Sequence, residues 1–272
     1  MVTSTQTPSS KFMSVCRQWR HFRKLSQLEL ALAANISQRH LSWLETGRSQ
    51  PSREMVTRLS DAMEIPLRER NVLFQSAGYA AAYRETQLDD PVMTPVLDVL
   101  NHVLQHHDPL PAVVVDRFWN VKKRNRAADL MFSIGGDPAD MLARTGGDSE
   151  FNLALMTLHP EGLRPYIANW DQAAPAFIRR LKSEALASGD PVVQEKFARY
   201  IELAGPLADS ESLNPGLLPV LPLELVIGEL ELSLFSVIST FGTPQDITTD
   251  ELRIEAFYPT DEKTAVFFRS TG

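Results

Sequence analysis

Asp98, His102 and His106 fall four residues apart in succession, so a helix would present all three on one face. Two histidines at that spacing can bind zinc, but a closed site needs a fourth ligand and a hydrolytic one needs a general base. Neither stands nearby, and His107 and Asp108 follow in a stretch that reads as a linker. A wet polar helix face is the simpler reading, and no metal is expected. His159 with Glu161 is an acid–base pair without a nucleophile and reads as a helix terminus. The chain carries no Gly-rich phosphate loop, no CxxC pair and no Gly-x-Ser-x-Gly. It is therefore not expected to be an enzyme.

A different chemistry is offered by residues 37–45. Ile36, Leu41 and Leu44 fall on one side of a helix, while Gln38, Arg39 and Ser42 fall on the other, near its N-terminus. Gln pairs with adenine and Arg with guanine through two hydrogen bonds each, discriminating by roughly 1 to 3 kcal/mol per pair. The N-terminal end of a recognition helix is where such side chains meet the major groove. A solvated polar face on an ordinary helical bundle has the same periodicity.

The surrounding elements read as a string of short helices. Lys11 to Arg23 spaces Phe12, Val15, Cys16, Trp19 and Phe22 by three and four, one apolar face. Ser26 to Glu29 has the form of a capping box and opens the next helix. Ala34-Asn35-Ile36 makes a turn, Asn35 tolerating the left-handed conformation. Ser37 caps Gln38 to Glu45, Gly47 stops it, and helices over Arg53 to Met63 and Leu67 to Ala77 follow. The tail Met1 to Ser10 is polar, rich in Ser and Thr, and reads as disordered.

Charge separates this segment from the rest. Up to Arg84 there are 12 Lys and Arg against 6 Asp and Glu, a net of +6; the remainder has 15 against 28, a net of −13. The basic part supplies attraction to phosphate, and the acidic part would be repelled by DNA. Lone Cys16 excludes an internal disulfide and fits a reducing cytoplasm, and no apolar run reaches the roughly 18 to 20 residues of a membrane span.

Lys24 to Arg53, KLSQLELALAANISQRHLSWLETGRSQPSR, resembles the helix-turn-helix of the phage-repressor (Cro/cI, xenobiotic-response-element) family: Ser-Gln-x-Glu-Leu-Ala, a turn, Ser-x-x-x-Leu-x-x-Leu-Glu-x-Gly and a basic residue. The resemblance implies double-stranded DNA as partner, read as a palindromic operator by a homodimer. It implies that Gln27 touches a phosphate, that Ser37, Gln38, Arg39 and Ser42 face bases, and that Arg48 and Arg53 hold phosphates. His40 stays ambiguous, and Trp43 meets either the DNA or Arg48. Arg20 and Glu45 are implied to form an ion pair behind the helix.

The chain beyond is similar to the MmyB-like family of bacterial regulators. The similarity lies in LRERNVLFQSAGYA, LDDPVM, HHDPLPAVVVDRFWNV, LHPEGLRPYIANW, STFGTPQDIT and LRIEAFYPTDE. It implies a C-terminal ligand-binding domain with a PAS-like fold and a fatty-acid-like ligand. Relatives often have small apolar residues where Val121 to Asn125 stands, so a pocket role for that stretch is in doubt.

Read independently, Ala112 to Asp116 and Phe118 to Lys122 form a hairpin. Asn125 to Phe132, Glu150 to Thr157, Tyr166 to Ala187 and Val192 to Ala204 are helical, with breaks at Gly146-Gly147-Asp148 and Ser188 to Pro191. Leu221 to Ile227 and Leu230 to Thr240 alternate around a two-residue Gly228-Glu229 turn. Leu252 to Tyr258 adds a strand before a C-terminal helix. The organisation expected is an all-α helix-turn-helix domain of five short helices over 11–78, a helical linker over 79–108, and an α+β domain over 109–272. That domain's antiparallel sheet would carry helices on one face. An apolar pocket between the layers, or simply a filled core, fits equally. A buried carboxylate needs a partner, and Arg117, Arg164 and Arg253 are candidates, with His159, Tyr166 and Asn169 as hydrogen-bonding alternatives. A C-terminal domain serving only dimerisation or protein interaction is the competing reading.

Overall fold

The computed structural model describes residues 8–146, 150–209 and 220–271. The chain divides into two compact units: Met1–Thr86 with Pro244–Asp250, and Gln87–Thr243 with Glu251–Gly272.

The first unit contains α1 (Pro8–Phe22), α2 (Gln27–Ala33), α3 (Gln38–Glu45), α4 (Arg53–Ala62) and α5 (Leu67–Ser76). Their ends are set by local chemistry. The Ser26 hydroxyl accepts the Glu29 N–H at 3.2 Å and the Glu29 carboxylate accepts the Ser26 N–H at 2.7 Å, a complete capping box. Ser37 and Ser52 cap α3 and α4 in the same way. Asn35 takes φ +53° and turns the chain between α2 and α3. Phe12, Cys16, Leu30, Leu41, Leu44 and Leu59 lie in one buried cluster. Burial pushes the Cys16 thiol up to about 12, so it is a packed apolar group rather than a nucleophile. The expected tail is shorter than residues 1–10: α1 already begins at Pro8, and Met1 to Thr7 lie outside the described residues.

The second unit opens with α6 (Thr94–His107). There follow β1 (Ala112–Val115), β2 (Val121–Arg124), α7 (Arg126–Ser133), α8 (Pro138–Thr145), α9 (Leu153–Leu158), α10 (Trp170–Ser188) and α11 (Pro191–Glu202). The chain continues through β3 (Leu223–Ile227), β4 (Leu230–Thr240), α12 (Ile247–Glu251), β5 (Arg253–Pro259) and α13 (Glu262–Thr271). The five strands form one antiparallel sheet in the order β2-β1-β5-β4-β3. One face, with Val113, Leu225, Leu232, Leu234 and Phe257, packs against α7, α9, α10 and α11. The alternation of β3 and β4 and the turn at Gly228 (φ +62°) follow the pattern of the sequence.

Three expectations change. The segment 79–108 is not a linker throughout: Leu100 and Leu104 of α6 pack on Ala112, Val114 and Ile254, so a helix covers the sheet's other face. Burial on both faces is why β1 reads Ala-Val-Val-Val without alternation. The second strand is Val121–Arg124, not Phe118–Lys122. Asp116 accepts the N–H groups of Phe118 (2.8 Å) and Asn120 (3.0 Å), and this tight turn holds Trp119 at φ +68° with its indole fully buried. The charges of β2 suit a sheet edge, where Lys and Arg discourage further pairing. Finally, α8 occupies a stretch not read as helix; Asp137 and Pro138 start it, and Gly146 ends it in the left-handed conformation. Gly147 and Asp148 of the expected break lie outside the described residues.

Buried Asn125 ties α6, β1 and α7 together. Its Oδ1 accepts the N–H groups of Ala112 and Ala128, both at 3.0 Å, and its Nδ2 donates to the Leu110 carbonyl at 2.7 Å and the Leu104 carbonyl at 3.3 Å. Asn125→Ala strands these backbone groups and removes a helix cap. It should cost about 2–4 kcal/mol, read as a lower urea midpoint for the intact chain.

Candidate functional site

Helix α3 is braced from behind by a buried ion pair. Arg20 Nε donates to Glu45 Oε1 at 2.6 Å and its Nη2 to Oε2 at 3.0 Å, a two-pronged pairing of α1 with the last turn of α3. Arg20 also donates to the Leu25 carbonyl, and Gln27 Nε2 to Glu45 Oε2 at 2.8 Å. Burial works to raise the Glu45 carboxyl, yet the hydrogen bonds from Arg20 and Gln27 outweigh it and hold the group below its ordinary value. Glu45 is therefore a fixed structural anion. Gln27, implied as a phosphate contact, spends one amide N–H on it.

On the opposite side α3 presents its polar face. Gln38 and Arg39 are exposed, Ser42 and His40 are half-exposed, and Leu41 and Leu44 are fully buried beneath them. The Ser37 hydroxyl oxygen is engaged as the N-cap, accepting the His40 N–H at 3.1 Å. The Trp43 ring lies 4.7 Å under the Arg39 guanidinium, so Trp43 packs beside Arg39. Arg48 and Arg53 are exposed; Arg53 lies over Phe74 at 4.9 Å. The side chains implied for base contact thus lie on α3 and its N-cap, while those implied for phosphate contact lie at the start of α2 (Gln27), in the turn after α3 (Arg48) and at the start of α4 (Arg53).

The second feature is a cavity of about 290 Å³ in the C-terminal unit, between α7, α9 and α10 and the sheet. Its wall is mainly apolar: Phe132, Leu163, Ile167, Phe177, Leu225 and Phe257 are representative. That volume is near the lower end of small-molecule pockets and far above an ordinary packing void. The polar side chains on the wall are Thr157, Arg180, Ser236 and Glu255, with the indoles of Trp119 and Trp170. Glu184 stands behind them, accepting from Arg180 Nε at 2.9 Å, from Trp119 Nε1 at 2.9 Å and from Arg253.

None of the six candidate ligand partners is on this wall. Arg117 pairs with Asp190 at 2.7 Å, Arg164 lies over Trp170 and donates to the Leu203 carbonyl, and Arg253 pairs with Glu184. Tyr166 donates to the Gly135 carbonyl, Asn169 to the Pro222 carbonyl, and His159 accepts the Glu161 N–H at the end of α9. The charged residues on the wall are Arg180 and Glu255, and for Glu255 the sequence held one signal. Residues 253, 255 and 257 share a strand face, so the Phe that faces the core puts Glu255 there too. Val121 to Asn125 stay off the wall. His102 and His106 are exposed and turn ring nitrogens to the carbonyls of Asp98 and His102. Among the described residues no three His, Cys, Asp or Glu side chains cluster as metal ligands, and no helix is long and apolar enough to cross a membrane.

Residues 96–270 match the model of the MmyB-like transcription regulator ligand binding domain, which accounts for well over half of the chain. The chain belongs to this family. Residues 17–70 match a helix-turn-helix model. The regulator therefore joins a helix-turn-helix unit of the DNA-binding type to a ligand-binding domain, and neither matched family is enzymatic. A search of curated proteins gave no match. A solved structure described as an RNA-binding light-oxygen-voltage receptor aligns at 11% identity over 96% of this chain and 64% of its own length; its TM-score of 0.24 bears no argument.

The Arg20–Glu45 pair gives two predictions. Arg20→Met leaves an uncompensated buried carboxylate and should destabilise the helix-turn-helix unit by about 3–5 kcal/mol, read by thermal unfolding. Because the pair depresses Glu45 below its unfolded value near 4.5, its contribution is fully present above that pH and is lost as pH falls through the folded-state value. Glu45→Gln should flatten this acid limb in a pH series of melting temperatures.

Proposed function

We propose that the chain is a sequence-specific transcription regulator that binds a palindromic operator in double-stranded DNA as a homodimer. In this reading a small apolar, fatty-acid-like ligand in the C-terminal cavity changes its affinity for DNA. The observation that carries the DNA half is the braced helix α3, whose exposed N-terminal face offers Gln38, Arg39 and Ser42 while Arg20 and Glu45 fix its orientation. The net charge of +6 up to Arg84 supports it. One helix reads only a short half-site, which favours two copies.

The ligand half is supported by the apolar cavity and by the course of the chain around it. Strands β4 and β5 contribute Leu234, Ser236, Glu255 and Phe257 to the cavity wall. The segment joining them, Pro244–Asp250, groups with the helix-turn-helix unit. There the Thr86 hydroxyl donates to Asp246 at 2.6 Å, Ile247 N–H donates to the Arg84 carbonyl at 2.8 Å, and Leu67 N–H donates to Asp250 at 3.2 Å. A ligand that shifts the strands pulls on a segment anchored beside α5. Such coupling requires that the ligand bind the DNA-competent and incompetent states unequally.

Duplexes selected from a randomised pool test the DNA half. Gln38→Ala and Arg39→Ala should each lose about 1–3 kcal/mol of discrimination at one base pair. Arg48→Ala should weaken binding to every duplex alike and lower the log–log salt slope by about 1. Equal binding of all three variants and the parent overturns the assignment of α3. For the ligand half, Asp246→Ala should leave acyl-chain binding intact and reduce its effect on DNA affinity, measured by fluorescence anisotropy with and without dodecanoate.

A further inference from the structure

The apolar cavity has one polar corner, and its electrostatics are unbalanced. Glu184 accepts from both Arg180 and Arg253, so two guanidinium groups share one carboxylate. Glu255, on the sheet opposite α10, is buried, and its Oε2 has no hydrogen-bond partner. The Trp170 indole N–H, on the same cavity wall, also lacks one. Buried polar groups left so are uncommon, and each marks a place where a partner is expected.

Burial pushes the Glu255 carboxyl up, against the Ser236 hydroxyl that hydrogen-bonds it and the positive charge of Arg180; Glu184 adds to the rise. In its protonated form, which burial favours, Glu255 leaves the second guanidinium beside Glu184 without a counter-charge and offers an O–H. A group that brings a negative charge and acceptor oxygens would satisfy Arg180 and Glu255 together. A neutral head would leave the charge uncompensated.

We propose that Arg180 and Glu255 seat the carboxylate of an amphipathic acid, one proton being shared between that carboxylate and Glu255. The hydrocarbon chain then lies along the Phe132, Phe177 and Phe257 wall. This rests on the reading that the cavity takes an apolar ligand and adds the chemistry of the ligand's polar end and the residues that read it. The groups facing Glu255 are Arg180 and Glu184 from α10 and Ser236 from β4, with Arg253 on its own strand. Ionising Glu255 would set two carboxylates against each other. Acid binding should therefore weaken by about tenfold per pH unit above the Glu255 titration point, because one proton must be taken up.

The test is calorimetry on the delipidated full chain with dodecanoate, methyl dodecanoate and dodecanol, from pH 6 to pH 9. The parent should prefer dodecanoate over the other two by about tenfold or more at the acid end, and that preference should shrink as the pH rises. Arg180→Gln should abolish the preference while leaving dodecanol affinity unchanged. Glu255→Gln, which stays neutral, should keep the preference and flatten the pH profile. Equal affinities for the three ligands in the parent, or a dodecanoate affinity that does not change with pH, overturns the proposal while leaving an apolar binding site intact. If none of the three binds, the ligand reading fails with it. The parent's head-group and pH series decide the matter even if a variant does not fold.

Discussion

Strands β4 and β5 are neighbours in the sheet along seven residue pairs, from Leu234 and Pro259 to Thr240 and Arg253. A short turn would have sufficed to join them. Instead the chain leaves the sheet, folds Ile247 and Thr249 into the unit that holds α1 to α5, and returns. This connectivity is the constraint on which the rest depends. The strands that line the cavity are tied covalently to a segment anchored by Asp246 and Asp250. The proposed coupling through two hydrogen-bonded carboxylates has a defined break point at Asp246 and Asp250.

Each unit then holds its functional face with a buried charge network. In the first, Glu45 fixes α3 through Arg20 and Gln27. In the second, Glu184 gathers Trp119, Arg180 and Arg253 beside the cavity. The two differ in closure. Around Glu45 charges and hydrogen bonds are matched, as a scaffold requires; beside Glu184, which serves two guanidinium groups, one oxygen of the Glu255 carboxyl has no hydrogen-bond partner. Incomplete satisfaction in a buried place is costly, and it lies on the cavity wall.

The helix-turn-helix was largely legible in the sequence because its determinants are local. The Ser26–Glu29 box, Asn35, the Ser37 cap and the Leu41, Leu44 spacing act within one or two turns, and the Arg20–Glu45 pair followed from resemblance. The C-terminal sheet was legible as alternation in β3 and β4. What failed was non-local. The β2 boundary moved because Asp116 organises a turn whose purpose is to bury Trp119. Helix α6 read as a linker because its apolar face, Leu100 and Leu104, meets partners in β1 and β5 that are distant in sequence. The six residues considered for the ligand were chosen by type, and none of them is on the cavity wall. Arg180 and Glu255 are set by strand parity and by α10 crossing the sheet, which only the assembled fold specifies.

The central claim is that the cavity and helix α3 are energetically linked. Linkage is reciprocal, so the most direct measurement is the affinity for dodecanoate of the free chain and of the same chain saturated with a selected duplex. The account predicts that the two affinities differ, by the same factor with which dodecanoate changes the affinity for that duplex. Identical dodecanoate affinities with and without DNA would contradict it.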